Sequence, residues 1–252
     1  PARGNILDPR PRRSRRPGRL TSAVRFVLVR PRNPNNIGAA ARAMANFGLE
    51  ELMIVDPFAP VWEEVRSGVG GEDVLKNAKV SPLTEALAAC QLVLGTSDGR
   101  RSLRRPVVPL PKLADYLKET LPAGGRLAIL FGSEKTGLRN EDLEHCHAVL
   151  RIPTKPGAPS MNLGQAAAVI AYELSRLETS EKVRLPGQPL ATAAQREDLV
   201  QKALLAMERL GYMKAAPEAA KAERLRQALL RWRLIRQDAA LLQALLKRVA
   251  AL

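Results

Sequence analysis

The chain reads as an α/β fold on a parallel sheet, followed by a small all-α unit. Three observations predict this. Short β-branched and apolar runs alternate with helical patterns from residue 25 to residue 177, the pattern of strands joined by helical crossovers. The run Leu127–Phe131 is apolar throughout rather than alternating, as a strand buried on both faces is. Beyond residue 195 only helical patterns remain, rich in leucine and without strand signals.

The elements follow in order. Residues 1–20 hold seven arginines and one aspartate with almost nothing apolar to bury, and read as a disordered basic arm. Arg25–Arg30 (RFVLVR) is the first strand. Ile37–Phe47 is a helix of Ala, Met and Arg, with Asn35 or Asn36 as its N-cap and Gly48 closing it. Glu51–Val55 is the next strand, ended by Asp56-Pro57. A helix covers part of Glu63–Lys76, interrupted by Gly68, Gly70 and Gly71, and Leu83–Ala89 is helical. Leu92–Gly95 is a strand, Leu113–Thr120 a helix, Leu127–Phe131 a strand, Asn140–Cys146 a short helix and Ala148–Ile152 a strand. Asn162–Leu177 is a long helix of small and apolar residues. Pro186, Gly187 and Pro189 mark a linker, with a boundary near Leu185. Three helical patterns close the chain: Gln195–Leu210, Pro217–Arg236 and Asp238–Ala251. The expected organisation is an arm over 1–20, an α/β domain over 21–178, a linker over 179–194 and a helical accessory domain over 195–252.

Composition narrows the function. The formal net charge is +15, of which residues 1–20 carry +6 and the rest +9. Clustered positive charge points to a polyanionic partner, because neutralised phosphates release counterions. No apolar run approaches the ~20 residues of a membrane span, and the arginine- and proline-rich start is unlike a secretory signal. Cys90 and Cys146 have no CxxC spacing and suit a reducing, cytoplasmic setting, with both thiols packed in the core. His145 and His147 flank Cys146 at a spacing that separates their side chains, so no metal is expected. Trp232 and Tyr212 read as core residues rather than base-stacking ones.

Three polar, glycine-bearing turns stand where strands give way to helices. The first, Asn33-Pro34-Asn35-Asn36-Ile37-Gly38, runs into Arg42. Asparagine offers both a donor and an acceptor, and arginine a fork for phosphate, so together they can hold a ribose hydroxyl beside its phosphate. The second, Phe131-Gly132-Ser133-Glu134-Lys135-Thr136-Gly137-Leu138, brackets a carboxylate between two glycines. Glycine lets backbone approach a ligand closely, and Glu134 can orient Arg42 or other donors. This turn lacks the spacing of a Walker loop, and a dinucleotide fingerprint is absent from both glycine-bearing regions. The third, Ser160-Met161-Asn162-Leu163-Gly164, precedes the best helical pattern in the sequence and presents a hydroxyl and an amide at its N-terminus. Each turn by itself also suits plain helix capping. In a parallel sheet all three fall outside the carboxyl ends of the strands, where ligands bind.

In this order and separation the three turns resemble the motifs of the TrmH-like branch of the SPOUT superfamily of RNA 2′-O-methyltransferases, from about Val24 to Leu177. The appended helical unit, with Leu204-Leu205-Ala206 followed by Leu210-Gly211-Tyr212, is similar to that of the tRNA (cytidine/uridine-2′-O)-methyltransferases of the branch. The resemblance implies a parallel sheet carrying a deep C-terminal trefoil knot, a bent S-adenosyl-methionine held in that knot, a homodimer, and tRNA as substrate. The methylated nucleotide would be the pyrimidine at position 32 of the anticodon loop. By position, Asn36, Arg42, Glu134, Ser160 and Asn162 match the family's catalytic constellation. Thr96, Ser97, Asp98, Gly132, Ile152, Ser160 and Met161 match its cofactor-contacting loops. One departure concerns the Thr96-Ser97 pair: relatives place an arginine soon after it, whereas here Asp98-Gly99 intervene before Arg100-Arg101. The basic arm, Arg100–Arg105 and the helical unit (Lys221, Arg224, Arg226, Arg231, Arg233, Arg236) would extend the RNA surface. The alternatives are a ribosomal-RNA 2′-O-methyltransferase and a non-catalytic RNA-binding protein on the same fold.

Overall fold

A computed structural model of the chain describes residues 20–58, 70–97, 105–179, 189–212 and 215–251. The basic arm up to residue 19, Asp98, the Arg100–Arg104 segment and most of the expected linker lie outside the described residues.

The strands are β1 (Val24–Val29), β2 (Glu51–Val55), β3 (Lys79–Val80), β4 (Leu92–Thr96), β5 (Val107–Pro109), β6 (Leu127–Phe131) and β7 (Ala148–Arg151). They form one sheet in the order β3-β2-β1-β6-β4-β7-β5, and every neighbouring pair is parallel. The helices are α1 (Pro34–Asn46), α2 (Glu72–Asn77), α3 (Leu83–Leu87), α4 (Leu113–Thr120), α5 (Asn140–Leu143), α6 (Leu163–Thr179), α7 (Ala193–Arg209), α8 (Glu218–Trp232) and α9 (Arg236–Ala250).

Alternate residues of the central strands serve opposite faces. Phe26, Leu28, Leu94, Ile129, Phe131 and Leu150 meet α1, α4 and α6 through Ile37, Met44, Leu113, Leu117, Ile170 and Leu174. Val27, Val29, Val93, Ala128, Leu130 and Val149 meet α3 and α5 through Ala86, Leu87 and Leu143. Each of these side chains larger than alanine contributes about 1.5–3 kcal/mol on burial, and double coverage explains why these strands read as unbroken apolar runs. Cys90 and Cys146 lie in the second layer, both fully buried. Burial pushes the Cys146 thiol up to about 12.

Several boundaries differ from expectation for identifiable reasons. The N-cap of α1 is Asn33, whose side chain accepts from the Asn35 N–H at 2.9 Å, rather than Asn35 or Asn36. Pro34 takes the first helical position, where its missing N–H costs nothing. Of the helix expected within Glu63–Lys76, the described part is α2, which starts only after Gly71. Strands β3 and β5 had no sequence signal: β3 is two exposed residues, and β5 contains Pro109, tolerated because β5 is an edge. Helix α7 begins at Ala193, because Thr192 and Gln195 form a reciprocal capping box.

Helices α7, α8 and α9 share a core of Leu199, Val200, Ala222, Leu229 and Ala239. They are fastened to the amino ends of the strands. The N–H of Ala193 donates to Cys90 O at 2.8 Å, and buried Arg196 donates to Gln91 O at 3.1 Å and Ala191 O at 2.6 Å. Burial lowers the Arg196 guanidinium to about 10, so it remains charged at neutral pH. Arg226 binds Glu197 with both arms of its fork, at 2.9 and 2.8 Å, and reaches Glu144 at 3.2 Å; Arg233 donates to Glu119 O. Arg226 and Arg233, expected on the RNA surface, are therefore engaged in this junction, although Arg233 is itself exposed, as are Arg224, Arg231 and Arg236. Trp232 and Tyr212 are 61% and 60% exposed, against the expectation of core positions. The shared core is filled by the smaller leucine, valine and alanine side chains, which leaves the large rings outside.

Candidate functional site

At the carboxyl ends of β4, β6 and β7 the chain leaves the sheet in three loops that enclose a cleft of ≈ 430 Å³. Thr96 and Ser97 enter it from β4, Phe131 to Leu138 from β6, and Leu150, Ile152 and Thr154 from β7. Pro159, Ser160, Met161 and Leu163 close it from the start of α6. Its size is that of a small-molecule pocket, and its lining mixes apolar side chains with hydroxyls. Six of the seven residues expected to contact a cofactor line this one cleft: Thr96, Ser97, Gly132, Ile152, Ser160 and Met161. The seventh, Asp98, lies outside the described residues.

The second turn folds tightly because of Gly132. A Cβ at that position would lie 2.1 Å from Gly137 C and Leu138 N, a distance no side chain tolerates. Ser133 O accepts the Gly137 N–H at 2.7 Å, and Gly137 has φ +66°. The loop therefore doubles back on itself and turns its exposed residues, Glu134 to Thr136, along the cleft. Thr96 is held by its hydroxyl donating to Leu130 O at 2.9 Å.

Beside the cleft the three turns meet through side chains. Glu134 Oε1 accepts from Asn36 Nδ2 at 2.8 Å and from the Asn33 N–H at 3.1 Å, and its Oε2 accepts from the Arg32 N–H at 2.9 Å. Asn162 Nδ2 donates to Asn36 Oδ1 at 2.8 Å. Asn162 Oδ1 in turn accepts the Gly164 N–H at 2.9 Å, capping α6. Asn36 is buried and bonded on both sides of its amide, so it is the brace joining Glu134 to Asn162. The network needs α1 and α6 close together, and Gly164 permits it: a Cβ there would lie 2.7 Å from Ala39 Cβ. The donors that Glu134 orients are thus Asn36 and two backbone N–H groups.

Arg42 stands apart from this network. Six residues beyond Asn36 on a helix is about 120° around the axis. Arg42 is exposed on the side of α1 facing α2, where a Cβ on Gly71 would lie 2.6 Å from Arg42 N. Among the described residues it has no hydrogen-bond partner, and its charge acts on Glu72. Ser160 is exposed at the cleft.

Sequence reasoning missed a second fastening of the first turn. Arg30, at φ +52°, forms an ion pair with Asp142, whose side chain is 2% exposed, and Asp142 also accepts the Arg139 N–H at 2.6 Å. The two partners are 112 residues apart, and no local pattern marks them. Lys135 and Thr154, also on the cleft wall, lay within or beside the quoted motifs without being singled out. His147 lies away from the cleft. Its Nδ1 accepts the Val93 N–H at 3.1 Å, and burial holds its pKa well below the ordinary value.

A profile of the SpoU rRNA Methylase family matches residues 23–172, the stretch that forms the sheet, the cleft and α6 up to Tyr172. The chain belongs to the SpoU rRNA methylase family. It is 40% identical over 157 residues to the tRNA (cytidine/uridine/adenosine-2′-O-)-methyltransferase TrmJ of Pseudomonas aeruginosa, covering 62% of this chain and 61% of the relative. It is 39% identical over 153 residues to the tRNA (cytidine/uridine-2′-O-)-methyltransferase TrmJ of Escherichia coli K12, covering 60% and 62%. The chain thus spans about three fifths of the length of the curated relatives it matches. In three dimensions it is similar to the crystal structure of TrmJ from Z. mobilis ZM4, with TM-score 0.77 and 29% identity over 90% of this chain and 99% of that one. It also resembles a probable methylase from Haemophilus influenzae, with TM-score 0.57 and 29% identity over 91% and 96%.

Proposed function

We propose that the protein is an S-adenosyl-methionine-dependent tRNA ribose 2′-O-methyltransferase whose target is the pyrimidine at position 32 of the anticodon loop. The observation that carries the reading is the junction of two sites at Glu134. One side of the loop lines a pocket of cofactor size, and the other is braced through Asn36 to Asn162. Family membership and the names of the 39–40% identical relatives support the chemistry, and those names favour tRNA over ribosomal RNA.

The cleft suits the cofactor. The Gly132 turn leaves no space for a side chain at its base, and hydroxyls and apolar groups share the walls as an amphipathic nucleoside requires. Thr96, Ser97, Asp98, Gly132, Ile152, Ser160 and Met161 would hold S-adenosyl-methionine, which supplies a methyl group already activated by its sulfonium. What remains for the protein is largely positioning. Glu134, Asn36 and Asn162 form the rigid wall against which the ribose is set. Arg42, on the α2-facing side of α1, offers its guanidinium fork to a phosphate of the RNA strand and is a clamp rather than a base. The 2′-hydroxyl proton leaves to that phosphate or to solvent. DNA, lacking the 2′-hydroxyl, binds without reacting.

We further propose a deep C-terminal trefoil knot in the α/β domain. The strand order supports it: β6 lies between β1 and β4, and the chain steps past β4 to reach β7. The division into an arm, an α/β domain ending near residue 178, a linker and a helical accessory domain is kept, with a homodimer as the working assembly. Because the helical segment is fastened at the amino ends of the strands, opposite the cleft, its exposed arginines meet the body of the tRNA rather than the reacting nucleotide. Arg42→Lys tests the clamp: the reading expects kcat/KM for tRNA to fall at least tenfold with cofactor affinity unchanged, because an ammonium cannot replace the fork. Near-wild-type turnover would sink it.

A further inference from the structure

Outside the cofactor cleft, on the far side of Glu134, an exposed aromatic ring and an exposed arginine stand together. The Arg32 guanidinium carbon lies 4.6 Å from the centroid of the Phe58 ring, and Phe58 is 52% exposed. Neither residue lines the cleft, yet both are tied to the site by backbone. The Arg32 N–H donates to Glu134 Oε2 at 2.9 Å, and the Phe58 N–H donates to Pro31 O at 3.2 Å. Pro31 is buried and Arg32 is followed by Asn33, the second backbone donor to Glu134. The pair is therefore held in fixed relation to the Asn36–Glu134–Asn162 brace, while its side chains face solvent.

We propose that Arg32 and Phe58 form a stacking subsite for one base of the RNA, that of a nucleotide flanking the ribose to be methylated. The inference rests on the methyltransferase reading of the adjacent cleft. Three features fit this occupant. Unpaired bases in loops are recognised by stacking on aromatic rings and on guanidinium planes. The charge of Arg32 suits a strand with a phosphate at each step, in a chain whose net charge is +15. The side chain of Arg32 is already laid over the ring, so little rotational freedom remains to be lost on binding. Position excludes the base of the reacting nucleotide as the first choice: Glu134 separates the pair from the cleft.

The test uses the full chain with an anticodon stem-loop RNA and labelled S-adenosyl-methionine. Phe58→Ala is expected to raise the RNA KM about tenfold, with kcat and cofactor affinity within twofold of wild type. Phe58→Trp should keep the wild-type KM, which separates loss of stacking from loss of folding. With 2-aminopurine in place of the base on either side of the target nucleotide, wild-type protein should quench its fluorescence at one flank, and Phe58→Ala should not. An unchanged KM in Phe58→Ala, or equal quenching by both proteins, would overturn the subsite. If wild-type protein quenches the probe but transfers no methyl group, the methyltransferase reading fails while the stacking site stands.

Discussion

Replacing Glu134 with glutamine removes one charge and almost no volume, so the outcome depends on the hydrogen bonds just described. In wild type, Oε1 accepts from Asn36 Nδ2 and Asn33 N, and Oε2 accepts from Arg32 N. A glutamine that keeps its carbonyl oxygen at the doubly bonded position must point its NH₂ group at the Arg32 N–H, donor against donor. One charge-assisted bond is lost, and two others fall from the charged class, about 1.5–3 kcal/mol, to the neutral class, about 0.5–1.5 kcal/mol. Fully buried, these changes would total about 4 kcal/mol; because Glu134 is exposed, water offsets roughly half, leaving about 2 kcal/mol. If that energy holds the first turn in its working position, kcat/KM for tRNA should fall roughly 30-fold. Single-turnover transfer of labelled methyl to tRNA at saturating cofactor measures it, with cofactor affinity determined separately. A rate within threefold of wild type would refute the view that Glu134 organises the turn.

Other perturbations address different links. Gly132→Ala forces a Cβ to within 2.1 Å of backbone atoms, so the β6 loop must open; cofactor binding by calorimetry should be lost while the far-ultraviolet circular dichroism is kept. Asp142→Asn leaves the half-buried Arg30 without its main partner, and denaturant unfolding should show a loss of about 2–4 kcal/mol, near the range for a broken buried pair. Acid should destabilise the fold through His147. Its folded pKa lies below the unfolded value near 6.5, so its contribution is complete above pH 6.5 and is lost as pH falls, by up to about 1.4 kcal/mol per pH unit. His145 shifts the same way, chiefly through burial. Unfolding midpoints between pH 7.5 and 5.0 check this, and His147→Gln should flatten the slope.

What could be read from sequence was whatever local chemistry determines. Leu127–Phe131 declared itself because a strand covered on both faces can carry no polar residue, and Leu113–Thr120 was bounded correctly for the same local reasons. Asn162 announced the cap of α6, and its Oδ1 performs it. The cap of α1 lies at Asn33 rather than at the expected Asn35 or Asn36, because Pro34 takes the first helical position and the cap must precede it. The site residues were legible as a set, but their partners were not. Nothing in the sequence says that Glu134 meets Asn36 and the Arg32 and Asn33 backbone rather than Arg42; that follows from where the helix axis puts each side chain. The Arg30–Asp142 pair and the junction made by Arg196 and Arg226 are likewise products of tertiary structure. Trp232 and Tyr212 show the same limit from the other side, since large rings on helical patterns were expected inside and lie outside.

If the cleft at the strand ends and the brace at Glu134 together methylate a tRNA ribose, the methyl group can be followed to its nucleotide. The most direct measurement incubates the protein with labelled S-adenosyl-methionine and unmodified tRNA, digests the RNA to nucleosides and identifies the labelled species by mass spectrometry. Label is expected in a 2′-O-methylated pyrimidine, mapping to position 32, and none in the product when Glu134→Ala protein is used. Label in a base rather than a ribose, or transfer to ribosomal RNA with none to tRNA, would contradict it.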